Sequence, residues 1–177
     1  MASNQVEEKV TTNQQKKITL KAEDGHLFEI EKVAAMECLG TVNNFFEDDA
    51  NDADNVIVPI HNVSSAVLAQ IIIYCNKHAG FREEEAEEPQ KAEMRAFDDG
   101  FIKNQSVDML KEILLAANYL NAKSLLTLTL DKFAERIKNK SVEYVREVFG
   151  IENDFTEEEE EKIRKENAWA FEGVDKD

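Results

Sequence analysis

Ile18 and Leu20 alternate with polar residues, and Phe28 and Ile30 do so again after Asp24-Gly25. Strand side chains point to opposite faces in turn, so two such runs around a turn pair predict a β-hairpin. Residues 33–38 and 41–46 carry weak helical patterning, and the second piece runs into an acidic loop over 47–54. A third strand is expected over 56–60. Pro59 cannot donate to a ladder and pushes that strand to a sheet edge. Ser64 or Ser65 can then cap a helix whose apolar positions are Val67, Leu68, Ile71, Ile72 and Cys75.

Next the periodicity breaks. Residues 83–89 read Glu-Glu-Glu-Ala-Glu-Glu-Pro, a charge block that cannot form a core. It reads as a solvated loop or insert. The rival reading, an acidic patch for metal or histones, finds no support in the sequence. Helical patterning resumes near Asp108. Leu110, Ile113, Leu114, Ala117 and Leu120 share one face. The 100° step puts Lys111, Glu112, Leu115, Asn118 and Tyr119 on the other. Leu115, Asn118 and Tyr119 thus form an outward strip, either a binding surface or an ordinary surface with one stray leucine.

Leu126, Leu130, Phe133 and Ile137 stripe the following helix, which Asn139-Lys140 ends. Ser141 can cap a short helix bearing Val142, Val145 and Phe149, with Gly150 placed as its stop. Beyond it lies a charged tail. Thr156 with Glu159 is a capping-box pattern, and glutamates fill 157–161 ahead of Lys162, Arg164 and Lys165. Glu158 with Lys162, Glu160 with Arg164 and Glu161 with Lys165 stand in the favourable four-residue order. Yet Ile163 is the only apolar residue between Thr156 and Asn167. So short a helix is marginal in water without packing. Phe155, Ile163, Trp169 and Phe171 must therefore find apolar surface on this chain or on a partner.

With 177 residues, one good core and an appended subdomain are possible. The net charge of -16, from 37 acids against 21 bases, repels nucleic acid and anionic membrane. Cys38 and Cys75 stand in no metal or redox spacing, which fits a reducing cytosolic or nuclear setting. No apolar run approaches the length of a membrane span, no signal peptide is evident, and residues 1–15 read as a polar, mobile tail. His26, His61 and His78 sit in separate segments with no ligand at metal spacing. The carboxylates lie in runs, unlike a catalytic pair in split environments. No phosphate loop, nucleophile elbow or HExxH motif occurs, so neither an enzyme nor a cofactor is expected.

Two blocks carry a family resemblance. Residues 151–156, Ile-Glu-Asn-Asp-Phe-Thr, continue through Arg164-Lys165-Glu166-Asn167-Ala168-Trp169-Ala170-Phe171-Glu172. This resembles the C-terminal signature of the Skp (S-phase-kinase-associated) family of ubiquitin-ligase adaptors. Residues 115–120, Leu-Ala-Ala-Asn-Tyr-Leu, resemble its central signature. Asp24-Gly25, Phe28, Phe46-Glu47-Asp48, Pro59, Asn62-Val63 and Tyr74-Cys75 fall where its N-terminal domain carries similar residues. The Trp-Ala-Phe-Glu ending looks most like the plant branch.

The resemblance implies an α+β fold, a BTB/POZ-type domain with a C-terminal helical extension that binds F-box helices. On this plan 1–15 are the tail, 16–80 and 97–125 form the BTB/POZ-type part, 81–96 are an acidic insert, and 126–177 are the F-box-binding region. The implied role is a non-catalytic adaptor in nucleus and cytoplasm, linking a cullin scaffold to F-box receptors of an SCF ubiquitin ligase and so promoting protein degradation. A small-molecule substrate is not expected. Asn118 and Tyr119 match the family's cullin-contacting pair, with Leu115 and Lys111 beside them. Leu126, Leu130, Phe133, Val145, Phe149 and Ile151 would join Phe155, Ile163, Trp169 and Phe171 on the F-box side.

The chain departs from the family pattern in several places. Phe97-Asp98 replaces Trp-Asp, and Lys111 replaces a Phe on the outward strip. Ser124-Leu125-Leu126-Thr127 replaces Gly-Leu-Leu-Asp, and Val142 and Glu157 replace prolines at two helix starts. Lys111 is the departure with most consequence for cullin docking. It motivates a second reading, a partner that stabilises F-box proteins outside cullin ligases.

Overall fold

A computed structural model describes residues 16–48 and 56–174. Residues 1–15 and most of the acidic loop expected over 47–54 lie outside them. Strands β1 (Lys17–Lys21) and β2 (Leu27–Glu31) form the antiparallel hairpin, with Leu20 opposite Phe28 and Ile18 opposite Ile30. Strand β3 (Ile57–Pro59) pairs parallel to β1, giving the order β2-β1-β3, so Pro59 does lie on an edge strand. Ile18, Leu20, Ile30 and Val58 are buried, as alternation demands.

The hairpin connection is a five-residue loop whose Asp24-Gly25 pair does two jobs. Gly25 takes φ +88°, a left-handed conformation that suits glycine. The Asp24 carboxylate accepts from the Ser65 amide at 3.1 Å and from the His26 amide at 3.3 Å. Hydrogen bonds from Ser65 and His26 hold this carboxyl well below its usual range.

Helices α1 (Lys32–Cys38) and α2 (Gly40–Asp48) follow β2, and α3 (Ser65–His78) follows β3. Ser64 is the cap of α3, its Oγ accepting from the Val67 amide at 3.5 Å. Val67, Leu68, Ile71, Ile72 and Cys75 are all buried, the stripe expected from spacing. Cys38 is half-buried, and its hydrogen bond with the Cys75 thiol, together with burial, pushes that thiol up.

The insert expected over 81–96 is a loop only as far as Glu87. Helix α4 spans Glu88–Lys103. Pro89 stands in its first turn, where a missing amide proton costs nothing. Gln90 Oε1 accepts from the Glu87 amide at 3.1 Å, half of a capping box. Met94, Phe101 and Ile102 are buried, so a helix that looked too acidic has an apolar side. Phe97 rests in an aromatic cluster with Tyr74, His78 and Phe101, and His78 Nε2 lies 2.8 Å from Asp98 Oδ1. The family's tryptophan position is thus occupied by a ring that packs without needing a hydrogen-bond partner.

Helix α5 (Val107–Tyr119) is capped by Ser106, whose Oγ accepts from the Met109 amide at 3.1 Å. Leu110, Ile113, Ala117 and Leu120 are buried; Ala116 is buried too, while Leu114 is only half so. The chain divides into two compact units, Met1–Leu130 and Asp131–Asp177, with helix α6 (Lys123–Ile137) crossing the division. Thr129 is fully buried in α6 and donates its hydroxyl to the Leu125 carbonyl at 2.8 Å. The second unit adds α7 (Val142–Phe149), α8 (Glu157–Glu166) and a 3₁₀ turn, Ala168–Phe171.

Candidate protein-binding surfaces

Among the described residues, two surfaces carry the side chains expected to bind partners, while Leu27, Ile57 and Ile73 are exposed elsewhere. The first lies on α5. Leu115 is 68% exposed, Tyr119 41% exposed, and Asn118 is exposed beside them. Lys111 is half-buried one turn earlier, its Nζ 2.8 Å from Asp108 Oδ1. The helix is fixed at its end by α2. The Thr41 amide donates to Leu120 O at 3.1 Å, and Thr41 Oγ1 donates to Tyr119 O at 3.1 Å. The Gly40 amide reaches Asn121 O at 3.4 Å. A Cβ at position 40 would collide with the Asn121 amide, with Asn121 Cγ only 3.0 Å away. Asn121 itself holds φ +52°. A buried inner face and a pinned end hold the strip still.

The second surface belongs to the C-terminal unit. Ser141 Oγ accepts from the Tyr144 amide at 3.0 Å and starts α7. Gly150, at φ +65°, stops it. Thr156 and Glu159 form both halves of the capping box: Thr156 Oγ1 accepts from the Glu159 amide at 3.3 Å, and Glu159 Oε2 from the Thr156 amide at 2.9 Å. Val142 and Glu157, at the family's proline positions, are the first residues of their helices, so the Ser141 and Thr156 caps do the starting. Neither α8 nor the 3₁₀ turn buries a single residue.

Within this unit the expected residues separate. Phe149, Ile151, Phe155, Ile163 and Trp169 are exposed, Trp169 at 74%. Val145 and Phe171 are half-buried. Phe133 is only 5% exposed, and its ring packs on Phe149 with centroids 5.9 Å apart. It supports the surface more than it forms it. In the first unit Leu126 is half-buried and Leu130 exposed.

The ion pairs differ from the four-residue pattern. Glu161 does meet Lys165, at 3.5 Å. Glu160 instead turns to Arg146 at 2.8 Å, and Arg164 to Glu143. These pairs join α7 to α8, and the first is largely shielded, at 17% and 27% exposure. The Arg146 hydrogen bond holds Glu160 below the usual carboxylate range. Sequence spacing could not reveal either arginine, since each partner lies more than ten residues away.

Among the described residues, no group of three His, Cys, Asp or Glu side chains converges as a metal site would. His26 pairs with Asp24 at 3.0 Å, His78 stacks on Tyr74 with centroids 4.0 Å apart, and His61 is exposed.

Two family models match this chain. The family model described as "Skp1 family, tetramerisation domain" matches residues 16–80, and "Skp1 family, dimerisation domain" matches 123–170. The chain belongs to the Skp1 family. It is similar to SKP1-like protein 1A of Arabidopsis thaliana, 44% identical over 89% of this chain and 98% of that relative. SKP1-like protein 14 of the same plant is 44% identical over 88% of this chain and 97% of its own length. SKP1-like protein 1 of Oryza sativa subsp. japonica is 43% identical, covering 90% and 97%. This Skp1-family chain is therefore a plant-type member, with a BTB/POZ-type α+β domain and a C-terminal helical region. The α5 strip falls between the two matched segments, and every expected tail residue except Phe171 falls within the second.

Proposed function

We propose that this Skp1-family chain is a non-catalytic adaptor of SCF ubiquitin ligases, joining a cullin scaffold to F-box receptors and so promoting ubiquitination and degradation of their substrates. The observation that carries the reading is the C-terminal unit. Its helices are capped and braced, yet Phe149, Ile151, Phe155, Ile163 and Trp169 face solvent, and α8 buries none of its residues. A helix-in-groove or helix-on-helix partner is what such a surface suits. The α5 strip, with Leu115, Asn118 and Tyr119, is the cullin side. The acidic surface disfavours nucleic acid and anionic membrane as partners. The reading needs no cofactor or small-molecule substrate, and it places the chain in nucleus and cytoplasm, which imaging of a fluorescent fusion tests.

Co-purification of the intact chain with F-box proteins and a cullin tests the adaptor role. Recovery of both supports it; recovery of neither ends it. A second reading keeps the F-box side alone, as a partner that stabilises F-box proteins outside cullin ligases. Lys111 favours it, because it sets a charged pair with Asp108 beside the exposed Leu115. Titration with a cullin N-terminal domain separates the two, since tight binding sinks the second.

A further inference from the structure

Arg146 and Arg164 each make two contacts in the C-terminal unit. Arg146 Nη1 is 2.8 Å from Glu160 Oε1, and its guanidinium lies over the Phe155 ring, 5.9 Å from the centroid. Arg164 pairs with Glu143 and lies over the Phe171 ring at 5.3 Å. The two pairs run in opposite senses, α7 supplying the cation of one and the anion of the other. A carboxylate fixes where each guanidinium lies, and the planar group then offers its face to a ring. The two rings flank α8, Phe155 just before it and Phe171 in the closing 3₁₀ turn. With no buried residue of its own, this ten-residue helix depends on such contacts and on its cap.

We propose that Arg146 and Arg164 are positioning residues for the F-box surface, holding Phe155 and Phe171 in their binding arrangement before the partner arrives. The inference rests on the F-box reading given above. Side chains already held lose less freedom on binding, so their order appears as affinity. Lysine at either position keeps the charge but lacks the flat face and the fork.

Calorimetric titration of the full chain with a recombinant F-box domain tests this, together with amide hydrogen exchange over 151–171 in the free and bound states. R146A and R164A are expected to weaken binding about three- to tenfold each. Exchange should quicken in the free chain and match the original in the complex. R146K and R164K should fall between, and they carry the test should either alanine variant unfold the unit. Unchanged affinity in a chain that binds overturns the positioning role alone. Weaker binding with unchanged free-state exchange also overturns it, since the arginines would then be direct contacts. A natural-sequence chain that does not bind the F-box domain removes the F-box reading and this proposal together.

Discussion

Leu115 and Ile163 are both exposed apolar side chains on helices, but what lies beneath them differs. Under Leu115, α5 turns Leu110, Ile113, Ala117 and Leu120 into the interior, each at most 1% exposed. Under Ile163, α8 buries nothing, and two arginine–glutamate pairs, two ring contacts and a capping box hold it in place. The first surface is as firm as the whole core. The second is fixed by polar contacts that water and protons can reach. Regions with few buried apolar contacts open at lower free energy than the global transition. A rigid exposed strip and a locally openable one thus coexist in one chain.

Four experiments break or sharpen that contrast. Ile113→Ala should cost about 2–5 kcal/mol, because a buried aliphatic group is lost and a cavity left behind. Denaturant unfolding followed by circular dichroism measures it, and a loss below about 1 kcal/mol would mean that the core does not stiffen the strip. Trp169→Ala should weaken F-box binding by about 2 kcal/mol or more while leaving the melting temperature alone. Unchanged affinity would put the aromatic tip outside the interface. This is the chain's only tryptophan, so a blue shift of its emission on binding is a second readout.

Thr156→Ala should remove about 1 kcal/mol from α8 through loss of the cap. Faster amide exchange confined to 157–166 is the expected signature, and Thr156→Ser should restore slow exchange. Spread of the effect into α5 would contradict local opening.

The smallest effect is that of acid. Arg146 lowers the folded-state pKa of Glu160 below its unfolded value. Such a group contributes stability in full above the unfolded pKa and loses it as pH falls through the folded one. The Glu159 carboxyl is lowered in the same direction by the Thr156 amide and hydroxyl. Protection of the α8 amides, taken as exchange relative to the intrinsic rate at each pH, should therefore stay constant from neutral pH down to the ordinary glutamate range and fall below it. Glu160→Gln should flatten part of that response, and an unaltered profile would leave the Arg146 pair without influence.

Local chemistry was the part most legible in the sequence. Alternation around Asp24-Gly25, the Ser64, Ser141 and Thr156 caps and the Gly150 stop all act within a few residues, and all appear where spacing puts them. The strip of Leu115, Asn118 and Tyr119 followed from helical period alone. Helix α4 did not, because a run of glutamates hides a start signal made by Glu87, Pro89 and Gln90. The arginine braces were hidden for another reason. Their partners are set by how α7 and α8 lie in space, and the four-residue rule chose nearer partners for Glu160 and Arg164. Burial of Phe133 was likewise beyond a stripe that counts apolar positions without knowing their depth.

Gly40 and Asn121 constrain the order in which this chain can change. The glycine at 40 is favoured by a neighbouring side chain, since the three atoms nearest its missing Cβ all belong to Asn121. Position 121 sits in left-handed backbone, which asparagine and glycine enter most readily. A lineage that first exchanges Asn121 for glycine clears that space, and position 40 can then gain a methyl group. The reverse order passes through a clash at the end of α5. Substitutions at 40 and 121 are therefore expected to be non-additive, which a double-mutant cycle measures.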